Sequence, residues 1–429
     1  MSQSILKLNH DVLWLILLDI TEFRELSPCW PHQKGPSPLK NLLHVSQVCA
    51  SWRAFTLASS MLWGRVIDIN MLYRLAETGR AEILQRTSGS NLHAQAVVCR
   101  DGGLQAFSKI LLMNEWRRVQ SLDLMFTIGL KSHLEFEDWL IFQTPAPKLK
   151  HLYLDCTPPS RHTFANTFEL FSNHAPELRS FSCSSLRIST GASWLSDLRD
   201  LRFTSSFTAL ELLSILQQMP SLENLQVYAD TSDGDVHSVG VTHLPLLVLP
   251  RLKYIAIHTI YRRDSVPKYL DVLAHIVPPD GCVLFLPNLH IEPVQSDLEA
   301  AYNILRSYFR AFLRRLTGPF NMTMNAERNS FQLFSGDFGF DVSCSRGFPN
   351  PALFLEALSS PEPGESNKLS ILTDAMSTSS GPVRIISSLP SFNPLATDPD
   401  SLKWSIENIP LHVSVQARSR RSCVSRQTY

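Results

Sequence analysis

Along residues 8–20 the apolar positions Leu8, Val12, Leu13, Ile16, Leu17 and Ile20 recur at steps of three and four, which predicts a helix with one broad apolar stripe. The following FRELSPCWPHQKGPSPLK holds Pro28, Pro31, Gly35, Pro36 and Pro38, which forbid continuous helix and predict an exposed loop over 23–39. Leu42, Val45, Val48, Cys49 and Trp52 then mark a second helix from about Leu39 to Ala58. Leu62 and Trp63 close the unit ahead of a strand-like RVIDI. Helices this short bury little area, so Trp52 and Trp63 are expected as core anchors. The first helix carries more apolar surface than so small a unit can cover, which marks it as a docking face.

Beyond residue 66 the period changes. A unit of one apolar residue, two others, an apolar residue, one other and a third apolar residue recurs six times. The copies are Val119-Leu122-Leu124, Leu149-Leu152-Leu154, Leu178-Phe181-Cys183, Leu198-Leu201-Phe203, Leu222-Leu225-Val227 and Leu252-Ile255-Ile257, starting 30, 29, 20, 24 and 30 residues apart. The alternation at the end of each copy predicts a short strand with one face turned inward. Four copies carry a proline two residues before the first leucine (Pro147, Pro176, Pro220, Pro250), read as the switch from a helix into the next strand. Helical stripes are expected at Phe164, Phe168 and Phe171 and at Leu210, Leu213 and Leu216.

Two architectures fit this period. One is an irregular solenoid of leucine-rich repeats, with parallel strands on its concave side and helices outside; such repeats run about 20–29 residues. The other is an ordinary α/β sheet with crossovers of similar length. The turn position that regular repeats fill with Asn or Cys is here Thr157, Leu186, Ser206, Asp230 and Ile260, so an irregular array is expected. The residues between the leucines face outward in either case. His151, Tyr153, Asp155, Arg202, Gln226, Tyr228, Tyr254 and His258 are therefore candidates to hold a protein partner, or form a solvated sheet face.

Further on, VPPDGCVLFL predicts a strand and residues 297–316 a helix whose buried stripe runs Leu298, Ala301, Leu305, Tyr308, Phe309, Phe312 and Leu316. NSFQLFSGDFGFDVS alternates like a hairpin around Gly336. The expected division is a helical module at 1–65, repeats at 66–290, an α+β cap region at 291–390 and a largely irregular tail at 391–429.

Composition narrows the function. The 429 residues carry 39 basic and 39 acidic side chains, which gives no global electrostatic reason for a nucleic-acid or anionic-membrane partner. The eight cysteines form no C-x-x-C pair, so neither a zinc site nor a dense disulfide framework is expected. DVLWLILLDI is too short to span a bilayer and lacks the features of a secretory signal, so an intracellular protein, cytoplasmic or nuclear, is expected. Phosphate-binding loops, nucleophile elbows and zinc-hydrolase motifs are absent from the sequence, and Asp337-Phe338-Gly339 lacks every other kinase element. No enzyme activity, cofactor or metal is expected.

The N-terminal pattern resembles an F-box. That family's motif runs Leu-Pro-x-Glu-aliphatic, an Ile/Phe pair, Val-Cys-x-x-Trp-Arg and Leu-Trp. The chain offers Leu8-Asn9-His10-Asp11-Val12, Ile16-Leu17, Val48-Cys49-Ala50-Ser51-Trp52-Arg53 and Leu62-Trp63, with Asn9 at the motif's proline and a Pro-rich insertion of a kind common in fungal members. The resemblance covers about 60 residues. It implies a three-helix module that docks on the Skp-family adaptor of a cullin (SCF) ubiquitin ligase through Leu8, Val12, Ile16, Leu17, Val45, Val48, Cys49, Trp52, Leu62 and Trp63. The chain would then be a non-catalytic substrate receptor whose repeats hold a target protein. A repeat scaffold that no longer binds the adaptor is the alternative.

Overall fold

The computed structural model describes residues 9–22, 37–99, 101–127, 139–157, 169–183, 188–205, 207–229, 246–259, 266–290, 295–314, 320–325, 330–335, 338–346, 383–387 and 412–415. The fold is mixed α/β with a parallel sheet. The chain divides into two compact units, Met1–Ser206 with Gln218–Leu222, and Phe207–Gln217 with Glu223–Tyr429.

The first unit opens with four helices, α1 (His10–Ile20), α2 (Pro38–Val45), α3 (Ala50–Ala58) and α4 (Ser60–Gly64). α1 starts at Asn9, whose side-chain oxygen accepts from the Asp11 N–H at 3.0 Å. Asn9 has φ −57°, a value proline also adopts. The expected single helix over 39–58 is two helices. Cys49 is extended (φ −159°, ψ 168°) and its sulfur accepts from the Trp52 N–H, so it starts α3 and cannot continue α2. The proline-rich stretch at 23–36 lies outside the described residues.

A sheet follows. Its parallel strands are β1 (Ile67–Asp68), β2 (Leu92–Val98), β3 (Val119–Thr127), β4 (His151–Thr157), β5 (Ser180–Cys183) and β6 (Asp200–Ser205), paired in chain order. Helices α5 (Ile69–Arg74) and α6 (Glu77–Arg86) connect β1 to β2, and α7 (Gly102–Glu115) connects β2 to β3. The apolar positions of the repeated unit fall on matching rungs, Leu122↔Leu152↔Phe181↔Leu201 and Leu124↔Leu154↔Cys183↔Phe203, each at most 2% exposed. Register is thus fixed by the buried face, since a one-residue slip would turn every leucine to solvent.

The prolines act differently from expectation. Leu149, Leu178 and Leu222 donate their N–H to Ala146, Ala175 and Met219, so Pro147, Pro176 and Pro220 each occupy the second position of a β-turn. They pivot the chain into the strand; at Pro220 the turn follows the helix Ala209–Leu216, so there the expected helix-to-strand switch holds. Among the described residues, 3-10 turns precede two of these pivots, at Leu140–Gln143 and Leu170–Asn173. Phe164 and Phe168 of the expected helix lie outside the described residues, and Phe171 lies in the second turn.

The core behind this sheet is aromatic. Ring contacts run from Phe126 to Trp139, Phe142, Trp116, Phe171, Trp194 and Phe181 with centroids 5.2–6.4 Å apart. Phe171, Ser172 and Asn173 have φ of 60°, 45° and 60°, a left-handed run costing about 1–2 kcal/mol per residue. Full burial of Phe171 between Trp116 and Trp194 offsets it. So do hydrogen bonds from the Ser172 hydroxyl to Gln143 O and from Ser193 N to Asn173 Oδ1.

The second unit contains α8 (Ala209–Leu216), β7 (Asn224–Ala229), β8 (Leu247–Val248), β9 (Tyr254–Thr259), α9 (Val266–His275), β10 (Ile276–Val277), β11 (Val283–His290) and α10 (Gln295–Arg314). β7, β9 and β11 are parallel, with Leu225↔Ile255↔Leu284 on one buried rung, and β8 pairs with β10 in a separate ladder. A capping box between Thr208 and Glu211 starts α8, which buries Leu213 and Leu216 but leaves Leu210 exposed. Pro250 repeats the β-turn, with Leu252 N–H donating to Leu249. Ala301, Leu305, Tyr308, Phe309 and Phe312 of α10 are buried, and the Tyr308 hydroxyl lies 3.1 Å from Leu273 O and 3.3 Å from Ile276 O, tying α10 to α9.

β11 also pairs in parallel with β14 (Phe338–Arg346), from which β13 (Ser330–Ser335), β12 (Phe320–Asn325), β15 (Val383–Ser387) and β16 (His412–Val415) continue antiparallel. The hairpin expected around Gly336 is therefore β13–β14.

Candidate functional site

Within the helical module the motif residues divide into two sets. Leu17, Leu62 and Trp63 are fully buried and Trp52 is 8% exposed, so these side chains form the module's own core with Leu13, Leu39 and Leu42. The Trp63 Nε1–H donates to Thr56 O at 2.9 Å, and the Arg86 guanidinium lies 4.7 Å above its ring. α1 packs on α3 through Phe55, which meets His10 at 5.5 Å and Trp14 at 6.1 Å. Val45 and Cys49 are half-buried, and Leu8 lies outside the described residues.

The second set faces out. Val12 (43%), Leu15 (64%) and Ile16 (38%) lie at i, i+3 and i+4 on α1 and so share one exposed face. Val48, between α2 and α3, is also exposed. Leu15 was not singled out by sequence reading: the run VLWLILL is apolar almost all round, so its period cannot separate the inward from the outward leucines.

In the first unit the outward strand residues form rungs of their own. One runs His93↔Ser121↔His151↔Ser180↔Asp200; the next runs Asp68↔Gln95↔Asp123↔Tyr153↔Ser182↔Arg202. Tyr153 and Arg202 therefore share a rung, with His151 one rung earlier and Asp155, 8% exposed, one rung later. In the second unit Tyr228 stacks on His258 with centroids 4.5 Å apart and planes within 6°, and His258 meets Phe285 at 5.4 Å. Gln226 is opposite Ala256 and Tyr254 opposite Asn224 on the same face. The candidates thus form two groups, one in each unit.

Electrostatics sharpen the first group. Burial, followed by the nearby Arg65 guanidinium, lowers the His93 pKa to about 4, and His151 and Lys150 add to the lowering. The opposing influence is a hydrogen bond with Gln120, whose Oε1 is 3.2 Å from His93 Nε2. At the strand starts Lys148, hydrogen-bonded at 3.0 Å, holds the Glu177 carboxyl below its ordinary range, with Lys150 at 3.7 Å assisting.

In the second unit burial pushes the Cys282 thiol up to about 12, which removes its thiolate at neutral pH and makes it a packing group. Among the described residues no cluster of His, Cys, Asp or Glu could hold a metal ion, and no helix is long and apolar enough to cross a membrane. No family model matches the chain, and no curated protein or solved structure is similar to it.

Proposed function

We infer that the chain is a non-catalytic substrate receptor of an SCF-type cullin ubiquitin ligase. In this reading α1–α4 are an F-box that docks on a Skp-family adaptor, and the strand faces belong to irregular leucine-rich repeats that hold a target protein. The observation that carries the reading is the α1 face of Val12, Leu15 and Ile16. It stays exposed although the module's core is already closed by Leu17, Leu62 and Trp63. A helix presenting i, i+3 and i+4 apolar anchors fits a groove-type partner. The placement of four leucine-patterned copies in matching register in the first unit, and of two in the second, supports the repeat part.

The Cys49 cap starts α3 and the Trp63–Thr56 hydrogen bond ties α4 to α3, so the Val-Cys-x-x-Trp and Leu-Trp pairs fix these two helices to one another. A scaffold without adaptor binding remains the second reading, because Asn9 stands where the motif's proline contacts the adaptor. Co-purification of a Skp-family adaptor with the full chain separates the two. Capture that is lost in Val12→Asp/Ile16→Asp supports the receptor, and no capture by the folded wild-type chain supports the scaffold.

A further inference from the structure

Helix α7 has a face that the rest of the first unit leaves uncovered. Its inward side is filled by Leu104, Ser108, Leu111 and Leu112, all buried. Ala106, Ile110, Met113 and Arg117 follow one another at i, i+4, i+7 and i+11, share the opposite side and are exposed. Ile110 is 60% and Met113 62% exposed. Leu140, also exposed, adds to the apolar surface from the 3-10 turn packed beside α7, where the Trp116 Nε1–H donates to Thr144 O at 3.3 Å. Exposed apolar side chains grouped in this way mark an interaction surface.

Opposite charges stand at the two ends of this face. Asp101 is exposed and caps the helix, its Oδ1 accepting from the Gly103 N–H at 2.9 Å and the Leu104 N–H at 3.3 Å. Arg117, just past the C-terminal end, is exposed, and its guanidinium has no ion pair or hydrogen bond among the described residues. At about 1.5 Å per residue the two lie about 24 Å apart along the helix. The charges on the flanks are engaged elsewhere: the Lys109 ammonium lies over the Trp139 ring, the Arg80 guanidinium lies over the Phe107 ring, and Glu115 pairs with Arg118. Side-chain size also changes from end to end. Gly102, with open space where a Cβ would stand, and Ala106 make the N-terminal half low, and Ile110 and Met113 make the C-terminal half tall.

We propose that this face binds a second copy of the chain, the two α7 helices packing antiparallel about a two-fold axis that passes beside Ile110. An isologous contact must be complementary to itself. Reversal of the helix provides that complementarity: Ala106 of one copy meets Met113 of the other, Ile110 meets its symmetry mate, and Asp101 meets Arg117 at both ends. A parallel pair would instead set Asp101 on Asp101 and Arg117 on Arg117. The face is one helix wide and falls short of the roughly 800 Å² per partner of a standard interface, so the dimer is weak, with a dissociation constant on the order of 100 µM. The contact uses no residue of α1 and stands independently of the receptor reading.

The test is sedimentation velocity of the full chain at low salt over about 5–500 µM, a range in which the wild type should pass from monomer to dimer. Ile110→Lys/Met113→Lys should weaken the association at least about tenfold, and Met113→Lys alone serves if the double variant does not fold. Arg117→Glu sets like charges together and should weaken it about three- to tenfold. In an Asp101→Asn background, where asparagine keeps the helix cap, the same substitution should weaken it less than twofold. Val12→Asp/Ile16→Asp should dimerise as the wild type does, which separates this face from that of α1. A chain that stays monomeric throughout, a dimer that the folded lysine variants retain, equal weakening by Arg117→Glu in both backgrounds, or a dimer lost in the α1 variant would overturn the proposal. Circular dichroism establishes that each variant is folded.

Discussion

Acid should weaken the first unit through a single imidazole. In the folded chain the His93 pKa is about 4, against the ordinary 6.5 that it regains on unfolding. Between those values the unfolded state binds the extra proton, so stability rises with pH across the window and is lost as pH falls through it. At about 1.4 kcal/mol per pH unit, the full effect is about 3 kcal/mol below pH 4, and roughly 2 kcal/mol is already expressed between pH 7 and 4.5. Carboxylates elsewhere titrate over the same range. His93→Gln isolates the imidazole, because glutamine keeps a donor for Gln120 and cannot charge.

Seven of the eight tryptophans precede residue 206, so tryptophan fluorescence during urea unfolding reports mainly on the unit that contains His93. The wild type should lose roughly 2 kcal/mol more than His93→Gln between pH 7 and 4.5. Equal losses in the two chains would refute the argument that burial and the surrounding cations keep His93 neutral.

Two other substitutions test the packing. Trp63→Ala removes a fully buried indole, its hydrogen bond to Thr56 O and its contact with Arg86, and should destabilise the helical module by about 4–6 kcal/mol; hydrogen exchange across residues 37–64 would report it. Trp63→Phe keeps most of the apolar volume and should cost less than half as much, mainly through the orphaned carbonyl. Ser88, two residues past the end of α6, has φ 36°, next to Gly89 at φ 76°. Ser88→Gly should therefore raise stability by about 0.5–1 kcal/mol in urea unfolding, since glycine adopts that conformation without strain.

The parallel sheet was readable in the sequence because strand alternation and the repeated leucines coincide. Leu122, Leu152, Phe181 and Leu201 each follow the start of their copy by three residues, and all four meet on one rung. What precedes those strands was not readable. A proline before a leucine is compatible both with the end of a helix and with the second position of a β-turn, and the Ala146–Leu149 and Ala175–Leu178 hydrogen bonds choose the turn.

The aromatic core escaped notice for a different reason. Trp116, Trp139 and Trp194 lie between the repeated positions, so no local period marks them, and they meet only once the strands are stacked. The break between α2 and α3 depends on the Cys49 sulfur acting as a cap, a role that sequence reading assigns to serine or aspartate. In α1 the outward residues were hidden by an excess of apolar ones: Leu17 is buried while Leu15 and Ile16 face solvent.

The central claim is that the exposed face of α1 binds a Skp-family adaptor. Its most direct test is the dissociation constant of purified adaptor for the full chain, measured by calorimetry beside Val12→Asp/Ile16→Asp. Because both side chains are exposed, the double variant should unfold at the same urea concentration as the wild type within about 1 kcal/mol. Loss of two apolar anchors worth about 1.5–3 kcal/mol each when buried, with two carboxylates left facing the groove, should weaken binding by at least about a hundredfold. Saturable wild-type binding that the folded double variant loses is the predicted result. Wild-type binding that the double variant retains, or no binding by the folded wild-type chain, would contradict it.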